Sequence, residues 1–390
     1  MAPVPLSHWG VPSGRMGKYT AEHWAYVTTP GKWPGVDFLR AAAVLLVLLF
    51  HLNVTGMRFG WIGVDLFFVI SGFLIGGGLW EQMKEQKFTF SRFYLNRALR
   101  ILPIYYLFIA LVCLSNSTWV GDLDLSDRVS FESLVQTMLF LQTTFPYFAG
   151  TPFDHRVAPG GSWSLVIEEY FYLAAPILLY FVMKVTPKHV LAFVVLIALS
   201  GIFVRYASMS TFSPDDPNWH FANFVQAHSR YEELAYGVIV GILVRQGNNA
   251  FFESVFLAFG AALIGGTVLF LAMTPPFWDQ PNLITRDTLW LPTVLGLGFA
   301  ALTYGACGRS LSPLMVTLVA RLSFPMYLGH IWLITAVFRP LGFEAFFSGL
   351  GSAGWPAFIL VQIGVSFAFA YLLSICVEYP FIRYYRKSQG

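Results

Sequence analysis

Asp37, Arg40 and His51 stand at helical spacing inside the first apolar run of the chain. Eleven steps of about 100° separate Arg40 from His51, three turns and a small remainder, so the two share one helix face. Asp37 precedes Arg40 by one turn and is placed to pair with it. A neutral imidazole can take a proton near neutral pH, its ordinary pKa being about 6.5. The bland alternative is that Asp37 and Arg40 neutralise each other at a membrane edge while His51 is merely packed. An ionisable group at the centre of a membrane helix costs about 2.5–3.5 kcal/mol on insertion scales, so its presence there points to pairing or to a functional cavity.

Four further clusters carry polar chemistry in apolar surroundings. Arg97 and Arg100 lie one turn apart at the start of an apolar run, a forked donor surface suited to phosphate; ordinary anchoring by positive charge explains them equally well. Glu168 and Glu169 are adjacent carboxylates in a membrane helix, and at least one must face a polar cavity or a partner such as Arg205 or Arg230. His228-Ser229-Arg230-Tyr231-Glu232-Glu233 reads first as an internal salt-bridge cluster. Ser323-Phe324-Pro325-Met326-Tyr327-Leu328-Gly329-His330 ends in a histidine that is either a second buried polar group or bonded to a backbone carbonyl.

The elements that must hold these residues are membrane helices. Of 390 residues, 56% are hydrophobic and 12% charged, against about 25% charged in soluble domains. The expected fold is an all-α, polytopic membrane bundle of about ten transmembrane helices. The expected spans are Val36–Thr55, Trp61–Trp80, Leu99–Leu114, Ser164–Met183, Val190–Tyr206, Tyr231–Val244, Phe251–Met273, Leu289–Cys307, Leu322–Phe338 and Ala357–Val377. A run of about 20 apolar residues suffices for each crossing. Lys84, Lys87, Arg92, Arg97 and Arg100 place the second connection, and both termini, in the cytoplasm; the acidic stretch Asp122, Asp124, Asp127 suits the outside. Phe131–Phe148 reads as a surface-packed or re-entrant piece; if it crosses, the count becomes eleven.

Residues 1–34 read as a cytoplasmic or interfacial tail, 35–386 as one transmembrane domain and 387–390 as a C-terminal tail. No cleavable leader is evident, so the first membrane helix would direct insertion. Net charge is +3 with no basic patch of the nucleic-acid-binding kind. Cys113, Cys307 and Cys376 are scattered and read as small core residues, with no metal site. Walker A, HExxH, CxxC and Gly-x-Ser-x-Gly patterns are absent from the sequence.

Taken in order, these pieces resemble the acyltransferase 3 family of integral-membrane O-acyltransferases. The resemblance rests on Arg40-x10-His51, Gly63-Val64-Asp65-Leu66-Phe67-Phe68-Val69-Ile70-Ser71-Gly72-Phe73, the segment Phe93 to Tyr106 with its Arg97-x-x-Arg100, Trp163-Ser164-Leu165 followed by Glu168-Glu169, the segment Ser323 to His330, and Glu378-Tyr379-Pro380-Phe381. It implies a bacterial, multi-pass protein of the cell membrane. The implied reaction moves an acyl group, by default acetyl, from a cytoplasmic acyl-CoA to a hydroxyl of a carbohydrate or glycolipid acceptor. His51 is then the catalytic base or transient acyl carrier, and Arg40 steadies the carbonyl or the thioester arm. Asp37 holds Arg40, Arg97 and Arg100 bind the CoA phosphates, and Glu168 (or Glu169) orients His51 or receives the acceptor. No permanently bound cofactor is implied; acyl-CoA is a substrate, and membrane lipid surrounds the domain.

Tyr170 and Gly329 depart from the family pattern, which commonly has Gln and an aromatic residue at these places. Some relatives carry an extracytoplasmic domain that completes transfer. The sequence ending at Gly390 without one favours direct transfer or a separate extracytoplasmic partner. The reading from another class is a transporter or flippase of a glycan or lipid precursor. A third, a non-catalytic scaffold, leaves the intact Arg40, His51, Arg97 and Arg100 without a purpose.

Overall fold

The computed structural model describes residues 15–119, 131–149, 161–209, 224–274 and 281–388. The acidic stretch at 122–127 lies outside the described residues. Helices in chain order are α1 (Arg15–Thr28), α2 (Pro34–His51), α3 (Gly60–Lys84), α4 (Phe90–Trp119), α5 (Phe131–Met138), α6 (Thr144–Ala149), α7 (Ser162–Val185), α8 (Val190–Met209), α9 (Ala227–Gln246) and α10 (Ala250–Met273). They continue with α11 (Pro281–Ala306), α12 (Leu314–Arg321), α13 (Ser323–Phe338), α14 (Phe343–Ser348), α15 (Gly354–Leu373) and α16 (Tyr379–Ser388).

The fold is an all-α bundle of membrane helices. Among the described residues, 8 helices are long and apolar enough to cross a bilayer. The pair α12 and α13, bent by 65°, makes a ninth if it is one broken span. This agrees with the expected polytopic bundle of about ten helices, with one expected span failing on length and apolarity alone. The missing member is α9, whose 20 residues include Arg230, Glu232, Glu233 and Arg245. It enters the bundle because those charges are buried against neighbours rather than because it is apolar. Residues 131–149 form two short helices of 8 and 6 residues, each too short to cross at 1.5 Å per residue.

Two ion-pair chains weld the helices together. Arg230 on α9 meets Asp65 on α3 at 2.6 Å and Glu233 at 3.3 Å. Arg205 on α8 meets Glu232 at 2.7 Å and donates to Thr293 on α11. The salt-bridge reading of the His228–Glu233 cluster is thus correct, and Arg205 and Arg230 are engaged by these acids, not by Glu168 or Glu169.

Close backbone approach completes the α3–α9 contact. A Cβ on Gly72 would collide with the Leu234 carbonyl oxygen, and one on Gly237 with that of Val69. Glycine permits this approach, and the apolar side chains around it supply the dispersion contacts that hold membrane helices together. The segment ahead of α2 is docked: Val27 and His23 on α1 are fully buried, and Tyr19 donates to the Ile375 carbonyl. Cys307 is buried, Cys113 partly so and Cys376 exposed.

Candidate active site

A cavity of about 240 Å³ lies where α2, α3, α4, α7 and α13 converge. Its polar lining is Arg40 from α2, Ser71 from α3, Arg97 and Arg100 from α4, Ser164, Glu168 and Tyr172 from α7, and Ser323 and Tyr327 from α13. Apolar residues such as Phe67, Phe68, Leu74 and Ile101 form the rest of the wall. Helical spacing puts these groups on one side: Arg97 and Arg100 are one turn apart, as are Ser164 and Glu168, and Glu168 and Tyr172.

Glu168 is held from both sides. Ser71 Oγ donates to its Oε1 at 2.8 Å and Tyr172 OH to its Oε2 at 2.6 Å. Arg97 stands over the Tyr172 ring at 5.9 Å, within cation–π range. Its Nε is buried without a protein partner, as is Glu169 Oε1. Three guanidinium groups and the carboxylate of Glu168 line the cavity, and guanidinium N–H donors suit anions.

Arg40 donates to Ser323 Oγ at 3.3 Å, and Ser323 in turn donates to the Ala320 carbonyl. Asp37 makes no direct ion pair with Arg40, although its charge acts on that guanidinium. Its Oδ2 accepts from the Gly31 backbone N–H at 2.6 Å, fastening the turn that leads into α2; the pairing expected from i,i+3 spacing is lost to this backbone donor.

His51 is the last residue of α2 and does not line the cavity. At 1.5 Å rise per residue it stands about 16 Å along the helix from Arg40. Its Nδ1 lies 2.9 Å from the Val47 carbonyl oxygen and 3.2 Å from His330 Nε2. Glu168 is therefore not the group that orients it. The link between His51 and the cavity runs through α13. Tyr327 lines the cavity, and its ring centroid is 6.0 Å from that of His330. Tyr327 OH is engaged by the Gly161 carbonyl at 2.9 Å and by Ser164 Oγ at 2.6 Å.

Of the residues expected at the site, Arg40, Arg97, Arg100 and Glu168 surround one cavity. Glu169 and Asp37 fall outside its lining, and His51 lies beyond it beside His330. The contributions of Ser71 and Tyr172 had no spacing signal of their own, although both lie in motifs quoted from the sequence. The two departures from the family pattern have local causes. Tyr170 OH donates to the Phe140 carbonyl and to Thr144 Oγ1, tying residues 131–149 to α7. At Gly329, a Cβ would press on Phe108 and Phe369 at 3.0–3.2 Å, so rings from α4 and α15 already fill the space of a larger residue.

Membrane helices thus enclose a cavity lined by Arg40, Arg97, Arg100 and Glu168, with paired histidines beyond it. A family model described as an acyltransferase domain matches residues 33–375, and the chain belongs to this acyltransferase 3 family. It is similar to the O-acetyltransferase OatA of Staphylococcus aureus, with 31% identity over 182 residues, 45% of this chain and 29% of the relative. It is also similar to the peptidoglycan O-acetyltransferase OatA of Listeria monocytogenes, with 34% identity over 159 residues, 39% of this chain and 25% of the relative. The alignments thus span under a third of those proteins' length. No solved structure matches the chain.

Proposed function

We propose that this protein is a bacterial cell-membrane O-acyltransferase that moves an acetyl group from acetyl-CoA to a hydroxyl of a cell-surface or lipid-linked glycan. The observation that carries this reading is the cavity joining Arg97, Arg100 and Arg40 on one side and reaching Tyr327, next to the His51–His330 pair, on the other. The Arg97–Arg100 end would face the cytoplasm and take the CoA phosphates, with both chain termini on that side. The thioester arm would rise past Arg40 toward His51. Acetyl as the group and a glycan as the acceptor are supported by the names of the two relatives.

The chemistry follows from the tautomer of His51. A carbonyl oxygen only accepts, so the 2.9 Å contact with Val47 O requires a proton on Nδ1. In the neutral ring Nε2 then carries the lone pair. The acceptor hydroxyl oxygen attacks the thioester carbonyl carbon, its proton passes to His51 Nε2, the C–S bond breaks and CoA leaves as thiolate, taking up a proton. The alternative course begins with attack by Nε2 itself, giving an acyl-imidazole that the hydroxyl then resolves. Glu168, fixed by Ser71 and Tyr172, offsets part of the positive charge of the cavity's guanidinium groups. A separate extracytoplasmic partner can complete delivery to the final acceptor.

Single-turnover transfer tests the reading. Protein in nanodiscs receives radiolabelled acetyl-CoA, with wild type beside His51→Ala and the double variant Arg97→Ala/Arg100→Ala. CoA release, or label on protein or lipid, is expected in wild type and lost in His51→Ala; acetyl-CoA binding is expected to fail in the double variant. A wild type that neither binds nor turns over acetyl-CoA overturns the donor assignment and turns attention to carriage of a glycan or lipid precursor.

A further inference from the structure

The contacts of His330 define every proton in the histidine pair. Its Nδ1 lies 3.1 Å from the Met326 carbonyl oxygen, so that nitrogen bears hydrogen and Nε2 bears the lone pair. The lone pair is aimed at His51 Nδ1, 3.2 Å away. His51 Nδ1–H is thereby shared between two acceptors, Val47 O and His330 Nε2. The opposite assignment, with His330 donating, would leave the His51 Nδ1 lone pair facing the Val47 carbonyl oxygen. The two rings meet edge to face, centroids 4.9 Å apart.

We propose that His330 is the positioning residue of the acyl-transfer centre, the acceptor that aims His51 and carries part of its charge when His51 takes the hydroxyl proton. This rests on the acyltransferase reading of His51. His330 is 3% exposed while His51 beside it is half-buried, so His330 acts through His51. In serine-hydrolase triads a carboxylate accepts the Nδ1 proton. Here the rings beside the pair are those of Phe50, against His51, and Tyr327, against His330. A permanent anion among them would carry the membrane cost of a buried charge. A neutral imidazole supplies a strong acceptor without one, and the pair becomes charged only while it holds the transferred proton. Tyr327 does not compete for the lone pair, because its hydroxyl is committed to Gly161 and Ser164.

Three preparations in nanodiscs test this: wild type, His330→Phe, which keeps a ring but no acceptor, and His330→Gln, whose Oε1 can accept near the former Nε2. CoA release from acetyl-CoA is measured with an N-acetylglucosamine oligomer as hydroxyl source. His330→Phe is expected to lower kcat by about 10- to 100-fold, as loss of a supporting hydrogen-bond partner does elsewhere, with KM for acetyl-CoA unchanged. His330→Gln is expected to recover most of kcat. Equal impairment of both variants, or an unimpaired His330→Phe, overturns the proposal. In parallel, 15N-histidine NMR of wild type is expected to show a coupling across the hydrogen bond between two imidazole nitrogens, absent in His330→Phe and in His51→Gln. Its absence from wild type overturns the pairing. A wild type silent toward acetyl-CoA defeats the donor reading instead, and the NMR result then decides the pair by itself.

Discussion

Arg230 and Asp65, 165 positions apart in the chain, meet at 2.6 Å with side chains 1% and 0% exposed. The guanidinium also lies 4.3 Å from the Phe224 ring centroid. This contact joins α9 to α3, and α3 carries Ser71, which holds Glu168. The charged start of α9 therefore sets the cavity wall from a distance.

Removing one member of such a buried pair strands the other. Arg230→Met is expected to destabilise the fold by about 3–5 kcal/mol, while the double replacement Arg230→Met/Asp65→Leu loses less than the single one. Thermal unfolding of the detergent-solubilised protein measures both. A single variant as stable as wild type would remove Arg230 from the scaffold.

The α3–α9 crossing gives a steric counterpart. Gly237→Leu drives a side chain into the Val69 carbonyl and the backbone at Gly72. Overpacking of this kind costs about 1–3 kcal/mol. Because α3 positions Ser71, we expect acyl transfer to fall along with the unfolding temperature. Gly265→Leu, where a Cβ meets nothing within 4 Å, is the matched control and should leave both unchanged.

Arg97 and Arg100 are expected to act on donor binding rather than on the chemical step. A charge-assisted hydrogen bond contributes about 1.5–3 kcal/mol. Each single Arg→Ala change should then raise KM for acetyl-CoA by about 10- to 150-fold and leave kcat within a few-fold. Steady-state kinetics on nanodisc-embedded protein separates the two. Dephospho-CoA thioesters, with fewer phosphates, should show a smaller penalty in the variant that has lost its phosphate contact.

His23 makes the docking of α1 sensitive to acid. It is fully buried among Tyr26, Tyr371 and Tyr379, with Nε2 at 3.2 Å from Ser374 Oγ. Burial pushes its pKa down to about 4. In the undocked helix the imidazole titrates near 6.5, so the undocked state binds more protons below that pH. The docking contribution is complete above about pH 6.5 and declines as pH falls toward 4. Protease protection of residues 15–28 should fall across that window and become less pH-dependent in His23→Phe.

The membrane class, most of the spans and the residues worth examining were legible in the sequence, because apolar length and helical spacing are local properties. Arg40, Arg97, Arg100 and Glu168 were recognisable as charges whose burial demands a reason, and the structure gathers them around one cavity. Spacing misjudged Asp37. An i,i+3 neighbour is only an available partner, and the Gly31 amide, exposed by the turn before α2, takes the carboxylate instead. Apolarity by itself passes over α9: its charges disqualify it as an apolar helix, yet Asp65 and Arg205 neutralise them from other helices.

What the sequence by itself determined was the set of helices and the inventory of polar groups they carry into the bilayer. Only the tertiary structure decided which of those groups face one another. His51 and His330 are 279 positions apart, and no periodicity along either helix reports on a partner that arrives by packing. The direction of a hydrogen bond is more distant still from the sequence. It depends on the carbonyls of Val47 and Met326 each accepting an Nδ1 proton, which leaves the His330 Nε2 lone pair for the other ring.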